Sequence, residues 1–164
     1  MEKKVVKRFV YEGLGFPIVL MDVCLAKKRG NWTPAIDYNK LQKHVLLALS
    51  HKPFPLTGSE VHFIRVYFEL TLEHFGKQLG VTHVAVLNWE KSQDKPAKIN
   101  PTTELFLRLL ILEKLKMNNQ VFRDTFREFD IEGIIKEYKS ASSKGKRPVT
   151  LPGAEVARRS YVRP

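Results

Sequence analysis

Thr57 to Leu115 constrains this chain more than any other stretch, and its centre is LGVTHVAVLNWEKSQ, Leu79 to Gln93. Ser59 is a good N-cap with His62 three residues on, and Val61, Ile64 and Phe68 then repeat at helical spacing. Leu70-Thr71 reads as a break, with Thr71 capping a second, short helix through Gln78. Gly80 follows where a residue of positive φ is wanted, because a residue without a Cβ pays no steric penalty there. Val81 is apolar inside a turn, which places that turn between packed helices. Thr82 caps a third helix, whose Val86 and Trp89 lie three apart on its inner face. The spacing predicts two short helices joined by a tight glycine-containing turn, with a longer helix before them.

These residues resemble the DNA-binding domain of the Cro/phage-repressor (Xre) family, whose fold is lambda-repressor-like and whose second and third helices form a helix-turn-helix. The matching positions are Phe75, Leu79, Val81, Val86 and Trp89, with Gly76 where the family needs a small residue and Ala85 suiting the same close approach. The resemblance implies a buried ion bridge between Arg65 in the first helix and Glu90 at the end of the third. It also implies base contacts from His83, Val84 and Asn88. Asn88 can pair bidentately with adenine N6 and N7, His83 can donate to guanine or a phosphate, and Val84 can touch a thymine methyl. Thr82 would bond a phosphate. Lys91, Lys95 and Lys98 lie in the following loop, where Lys95 and Lys98 match family positions that hold the DNA backbone and position the protein without reading sequence. Two positions depart from the family: Leu72 stands where the best-known repressors grip a phosphate, and Leu87 occupies a usually polar site. With Val84 these leucines offer an apolar face for a protein.

Charge points the same way. The 164 residues carry a net charge of +11 and a pI near 9.8, the sign expected of a chain that binds polyanions. Hydrophobic residues make up 43%, enough for a core. With Cys24 as the one cysteine, an internal disulfide and a cysteine-built metal site are excluded, as suits a reducing cytoplasm. The basic start followed by an apolar run has the order of an export signal, but Glu12, Asp22 and Pro17 interrupt it and Lys27-Lys28-Arg29 stand in place of a cleavage site. No stretch approaches the roughly 20 apolar residues of a membrane span. His44, His51, His62 and His74 form no metal spacing and read as helix-surface residues. Glu73, Glu90, Glu104 and Asp130 show no paired-carboxylate arrangement, no nucleophile motif is present, and no enzyme and no cofactor are expected.

In chain order, VVKRFVY at 5–11 and FPIVLMDVCL at 16–25 are β-rich, with Gly13-Leu14-Gly15 between them, and predict a β-hairpin. Lys27 to Asn31 reads as a basic turn and Trp32 to Asp37 as an irregular link. Asp37 or Asn39 then caps a helix over about Tyr38 to Ser50, striped by Leu41, Val45 and Leu49. Pro53 and Pro55 end it and mark a domain boundary. Asn100-Pro101 starts a helix apolar on more than one face, and Val121 to Tyr138 holds a further helix or two, with Phe122, Phe126, Phe129, Ile131, Ile134 and Ile135 serving the core or a subunit interface. From Ser140 the chain turns to Ser, Gly, Pro, Lys and Arg, and predicts a disordered tail.

The expected fold class is therefore mainly α, or α+β overall. Its parts are a β-hairpin and helix over 1–56 that bind a partner, the helix-turn-helix domain over 57–116, a helical extension over 117–139 and a basic tail over 140–164. This layout resembles antitoxins of bacterial type II toxin–antitoxin modules, although the well-known members begin with a zinc ribbon that a chain with one cysteine cannot build. The function implied is a cytoplasmic, nucleoid-associated homodimer that binds operator DNA, represses its own operon and meets a toxin through its N-terminal part, with no membrane contact. A protein-interaction adaptor and a non-specific basic nucleic-acid-binding protein are the alternatives.

Overall fold

The computed structural model describes residues 1–128, 132, 133, 136 and 148–158. Among them the chain is mixed α/β, with seven helices and one small sheet. It divides into two compact units: residues 1–46 with 148–164, and residues 47–147. No helix among the described residues is long and apolar enough to cross a membrane.

The first unit is built on its central strand. β1 (Lys3–Tyr11) and β2 (Ile18–Lys28) pair antiparallel, from Lys3 opposite Ala26 to Tyr11 opposite Ile18. The other edge of β2 is shared by two short strands. β3 (Asn31–Pro34) runs antiparallel beside Leu25 to Lys28, and β4 (Val149–Pro152) runs parallel beside Ile18 to Met21. β2 is thus paired on both edges, and its Ile18, Val19, Leu20, Val23, Leu25 and Ala26 are buried.

Two expectations are corrected here. Trp32 and its neighbours form a strand rather than an irregular link, because the tight turn at Arg29-Gly30 returns the chain onto β2. The tail expected to be disordered is, over its described part, β4 followed by the short helix α7 (Gly153–Val156). Its few apolar residues are spaced for this: Val149 and Leu151 are buried while Thr150 and Pro152 point out, the period-two alternation of a strand. Gly153 lies against the β2 backbone, so a Cβ there would stand 2.7 Å from the Met21 carbonyl oxygen. Beyond α7, the Val156 carbonyl accepts from the Asp37 N–H at 2.8 Å, and Arg158 Nε donates to the Ile36 carbonyl at 2.9 Å. Residues 140–147 and 159–164, which hold all the tail's basic side chains except Arg158, lie outside the described residues.

The helix α1 (Tyr38–Ser50) has the predicted bounds, with Asp37 Oδ1 accepting from the N–H groups of Asn39 and Lys40. The division between units falls inside it, after Leu46, not at Pro53 and Pro55. The second unit continues with α2 (Gly58–Tyr67), α3 (Leu72–Leu79), α4 (His83–Glu90), α5 (Pro101–Lys114) and α6 (Asn119–Glu128). Leu49, Leu56, Val61, Ile64, Phe75, Val86, Ile99, Leu107, Ile111 and Leu112 fill its core. α2 is capped by Thr57 rather than Ser59, because Thr57 and Glu60 form a reciprocal capping box. Phe122 and Phe126 of α6 are exposed, and the rest of the helical extension lies largely outside the described residues.

A buried charge cluster explains why Lys52 to Leu56 belongs to the helical unit. Lys52 Nζ binds both Glu60 carboxylate oxygens, at 2.9 and 2.8 Å, with both side chains about 5% exposed. Arg108 donates to the carbonyls of Lys52 and Phe54 and to Glu104 Oε1, the last at 2.6 Å. Glu104 Oε1 also accepts from the Leu56 N–H at 3.2 Å. The proline-containing segment expected to mark a domain boundary is thus tied to α2 and α5.

Candidate nucleic-acid interface

α3 and α4 are held at a fixed angle by three local devices. Thr71 and Thr82 each cap their helix through the side-chain oxygen, accepting from the N–H of His74 and Ala85. Between the helices Gly80 takes the left-handed conformation, φ 69°, and the Val81 N–H returns to the Gly76 carbonyl at 2.9 Å. The turn backbone then presses on α3: a Cβ on Gly76 would meet the Val81 carbonyl oxygen at 2.7 Å. Phe75, Leu79, Val86 and Trp89 are buried beneath.

A polar clamp joins α4 to α2. Arg65 Nε donates to Glu90 Oε1 at 2.6 Å and its Nη2 to Oε2 at 3.0 Å, a two-point pairing that fixes the carboxylate's orientation. Arg65 Nη1 also holds the Leu70 carbonyl at 2.8 Å, which secures the chain between α2 and α3. His62 Nδ1 lies 2.8 Å from Glu90 Oε2. This histidine, exposed on its helix as expected, is therefore also a third member of the clamp. Partial burial pushes the Glu90 carboxyl up, but the hydrogen bonds from Arg65 and His62 outweigh it and hold the group below the ordinary carboxylate value of 4.5.

A depressed folded-state pKa contributes stability that is present above the unfolded value and lost as pH falls through the folded one. The clamp should therefore weaken as pH drops below 4.5. We expect Glu90→Gln to be less stable than the wild type at neutral pH, and the gap to narrow by about pH 3. Urea unfolding across that range measures it, and a gap that stays constant with pH would refute the assignment.

The residues proposed to meet DNA all lie on exposed surface. Thr82, His83, Val84 and Asn88 are exposed along α4, opposite Val86 and Trp89. Lys91, Lys95 and Lys98 are exposed in the segment that follows. The structure brings this segment back against the start of α2: Ser59 N–H donates to the Gln93 carbonyl at 2.9 Å, and Ala97 N–H to the Leu56 carbonyl at 2.9 Å. The apolar trio shrinks on folding, because Leu72 and Leu87 are half-buried and of the three only Val84, 50% exposed, is open.

Several contributors had weaker signals in the chain. Glu60 was visible as the last residue of T-G-S-E, a capping-box pattern. Glu104 and Arg108 stand four apart, the spacing of a helical ion pair. Nothing in the sequence marks Lys52 or Gly58. Among the described residues no group of three His, Cys, Asp or Glu side chains converges as a metal site. Compared with protein-family models, with curated proteins and with solved structures, the chain matches none of them.

Proposed function

We propose that residues 57–116 form a lambda-repressor-like helix-turn-helix domain and that the protein is a sequence-specific DNA-binding regulator. One observation carries the reading. α4 is buried on the face of Val86 and Trp89 and clamped at its end by Arg65, while Thr82, His83, Val84 and Asn88 stand exposed along the other face. A short helix packed on one side and open on the other is what direct readout in the major groove requires. The lysines at 91, 95 and 98 add backbone contacts, and the net charge of +11 favours the encounter.

In the fuller form of this reading the protein is a bacterial cytoplasmic antitoxin. It binds an operator as a homodimer, with half-sites about 34 Å apart, and represses its own operon. Residues 1–56 are then the part that meets a toxin. The adaptor alternative loses support, since Leu72 and Leu87 are only partly accessible.

Fluorescence anisotropy on DNA from the protein's own upstream region and on a scrambled duplex tests the proposal. A preference of ~1000-fold or more for the upstream DNA is expected. Asn88→Ala should remove about 1–3 kcal/mol of that discrimination while leaving scrambled-duplex affinity nearly unchanged. Equal affinity for the two duplexes would reduce the protein to a non-specific binder.

A further inference from the structure

Another strongly basic feature among the described residues lies in the other unit, at the tip of the β2–β3 hairpin. The ladder runs to Lys28 opposite Asn31, leaving Arg29-Gly30 as a two-residue loop. Both loop residues have positive φ, 46° and 85°, the backbone hand of a type I′ turn. Asn-Gly or Asp-Gly is the usual choice for such a turn, because a longer side chain is disfavoured at the first position. Turn geometry therefore does not account for an arginine there. Five other non-glycine residues among those described also have positive φ, so the case for a role rests on what surrounds Arg29.

The surroundings indicate what kind. Lys27, Lys28 and Arg29 are exposed in succession, and Lys4 of β1 reaches the same end of the sheet. Lys4 Nζ stands 4.3 Å from the centre of the Trp32 ring and Lys27 Nζ 5.8 Å from it, so the ring is covered by ammonium groups. Glu2 offsets part of this charge through its 3.0 Å bridge to Lys27. Protein-binding patches are depleted of lysine and centre on accessible aromatic or apolar anchors, whereas here the aromatic ring lies under lysine. DNA-binding surfaces are rich in positive charge, and a two-stranded ribbon is narrow enough to enter the major groove.

We propose that this hairpin tip is a second nucleic-acid contact, in which Lys28 and Arg29, backed by Lys4 and Lys27, bind phosphates of duplex DNA. The inference rests on the reading of the chain as a duplex-DNA binder. Contacts of this class strengthen binding and steepen its salt dependence without carrying sequence information.

The test uses the full chain with Lys28→Gln and Arg29→Asn together, since asparagine suits the left-handed backbone and keeps the turn. Affinity is measured by anisotropy at several salt concentrations on the upstream and the scrambled duplex, with a thermal melt to show that the variant is folded. Losing two phosphate contacts should make the slope of log K against log salt shallower by about 1.8 on both duplexes. The preference for upstream DNA should not change. A wild-type slope in the variant overturns the inference and leaves an acidic protein surface as the occupant of the tip. Loss of preference in the variant also overturns it, because the tip would then be reading sequence. If the wild type itself shows no preference, the repressor reading fails, while the slope difference on scrambled DNA still decides this one. No DNA binding by the wild type overturns both.

Discussion

Arg108→Ala should destabilise the helical unit by about 3–5 kcal/mol, among the largest effects of any single substitution in it. The Arg108 and Glu104 side chains are 1% and 0% exposed, so the substitution removes a cation that stands 2.6 Å from a fully buried carboxylate. It also removes the side-chain donor from the carbonyls of Lys52 and Phe54. Each loss alone is the costly kind, a buried polar group deprived of a partner. Against a typical total stability of about 5–15 kcal/mol, the variant should unfold at markedly lower urea, by roughly 1–3 M. Replacing the pair together, Glu104→Leu with Arg108→Met, should recover much of the loss, because apolar side chains of similar volume need no desolvation of charge. A single substitution that costs under about 1 kcal/mol would show that the cluster does not hold Lys52 to Leu56 in place.

Gly58→Ala should be the second large effect, and it runs against helix propensity. In an isolated helix the change from glycine to alanine stabilises by about 1 kcal/mol. Here a Cβ would lie 2.6 Å from the Gln93 backbone nitrogen and 2.9 Å from the Glu90 carbonyl oxygen. Those atoms belong to backbone and cannot rotate away. The segment is further tied by the Gly58 N–H to the Lys95 carbonyl at 3.2 Å. Forcing the chain apart should cost about 1–3 kcal/mol beyond the propensity gain, with the bonds from α2 to residues 93–97 strained as well. Because Glu90 and Lys95 sit on the displaced segment, DNA affinity should fall in molecules that remain folded. Calorimetric melting and anisotropy well below the melting temperature separate the two effects. Gly80→Ala is the contrast: nothing lies within 4 Å of its Cβ, so only the strain of φ 69° is felt, about 1 kcal/mol. A melting temperature for Gly58→Ala at or above that of Gly80→Ala would refute the close approach.

What the chain determined by itself is local. The caps at Thr71 and Thr82, the left-handed glycine at position 80, the inward pair Val86 and Trp89, and the bounds of α1 all follow from short-range rules, in which a residue acts on backbone within four positions. The exposed stripe of α4 is legible for the same reason, since period and capping together decide which face is left over. What only the tertiary structure decided involves partners far apart in sequence. Val149 to Pro152 is too short and too sparsely apolar to declare itself a strand, and becomes one because β2 offers it an open edge some 130 residues earlier. The prolines of Lys52 to Leu56 read as a domain boundary, yet Glu60, Glu104 and Arg108 draw that segment into a core. Gly58 carries no conformational signal at all, because its constraint is another strand of backbone passing close by, and His62 joins the Arg65–Glu90 clamp only once α4 lies against α2. Hydrogen-bonding and packing partners across such distances are set by the closure of the whole chain, which no local window of sequence contains.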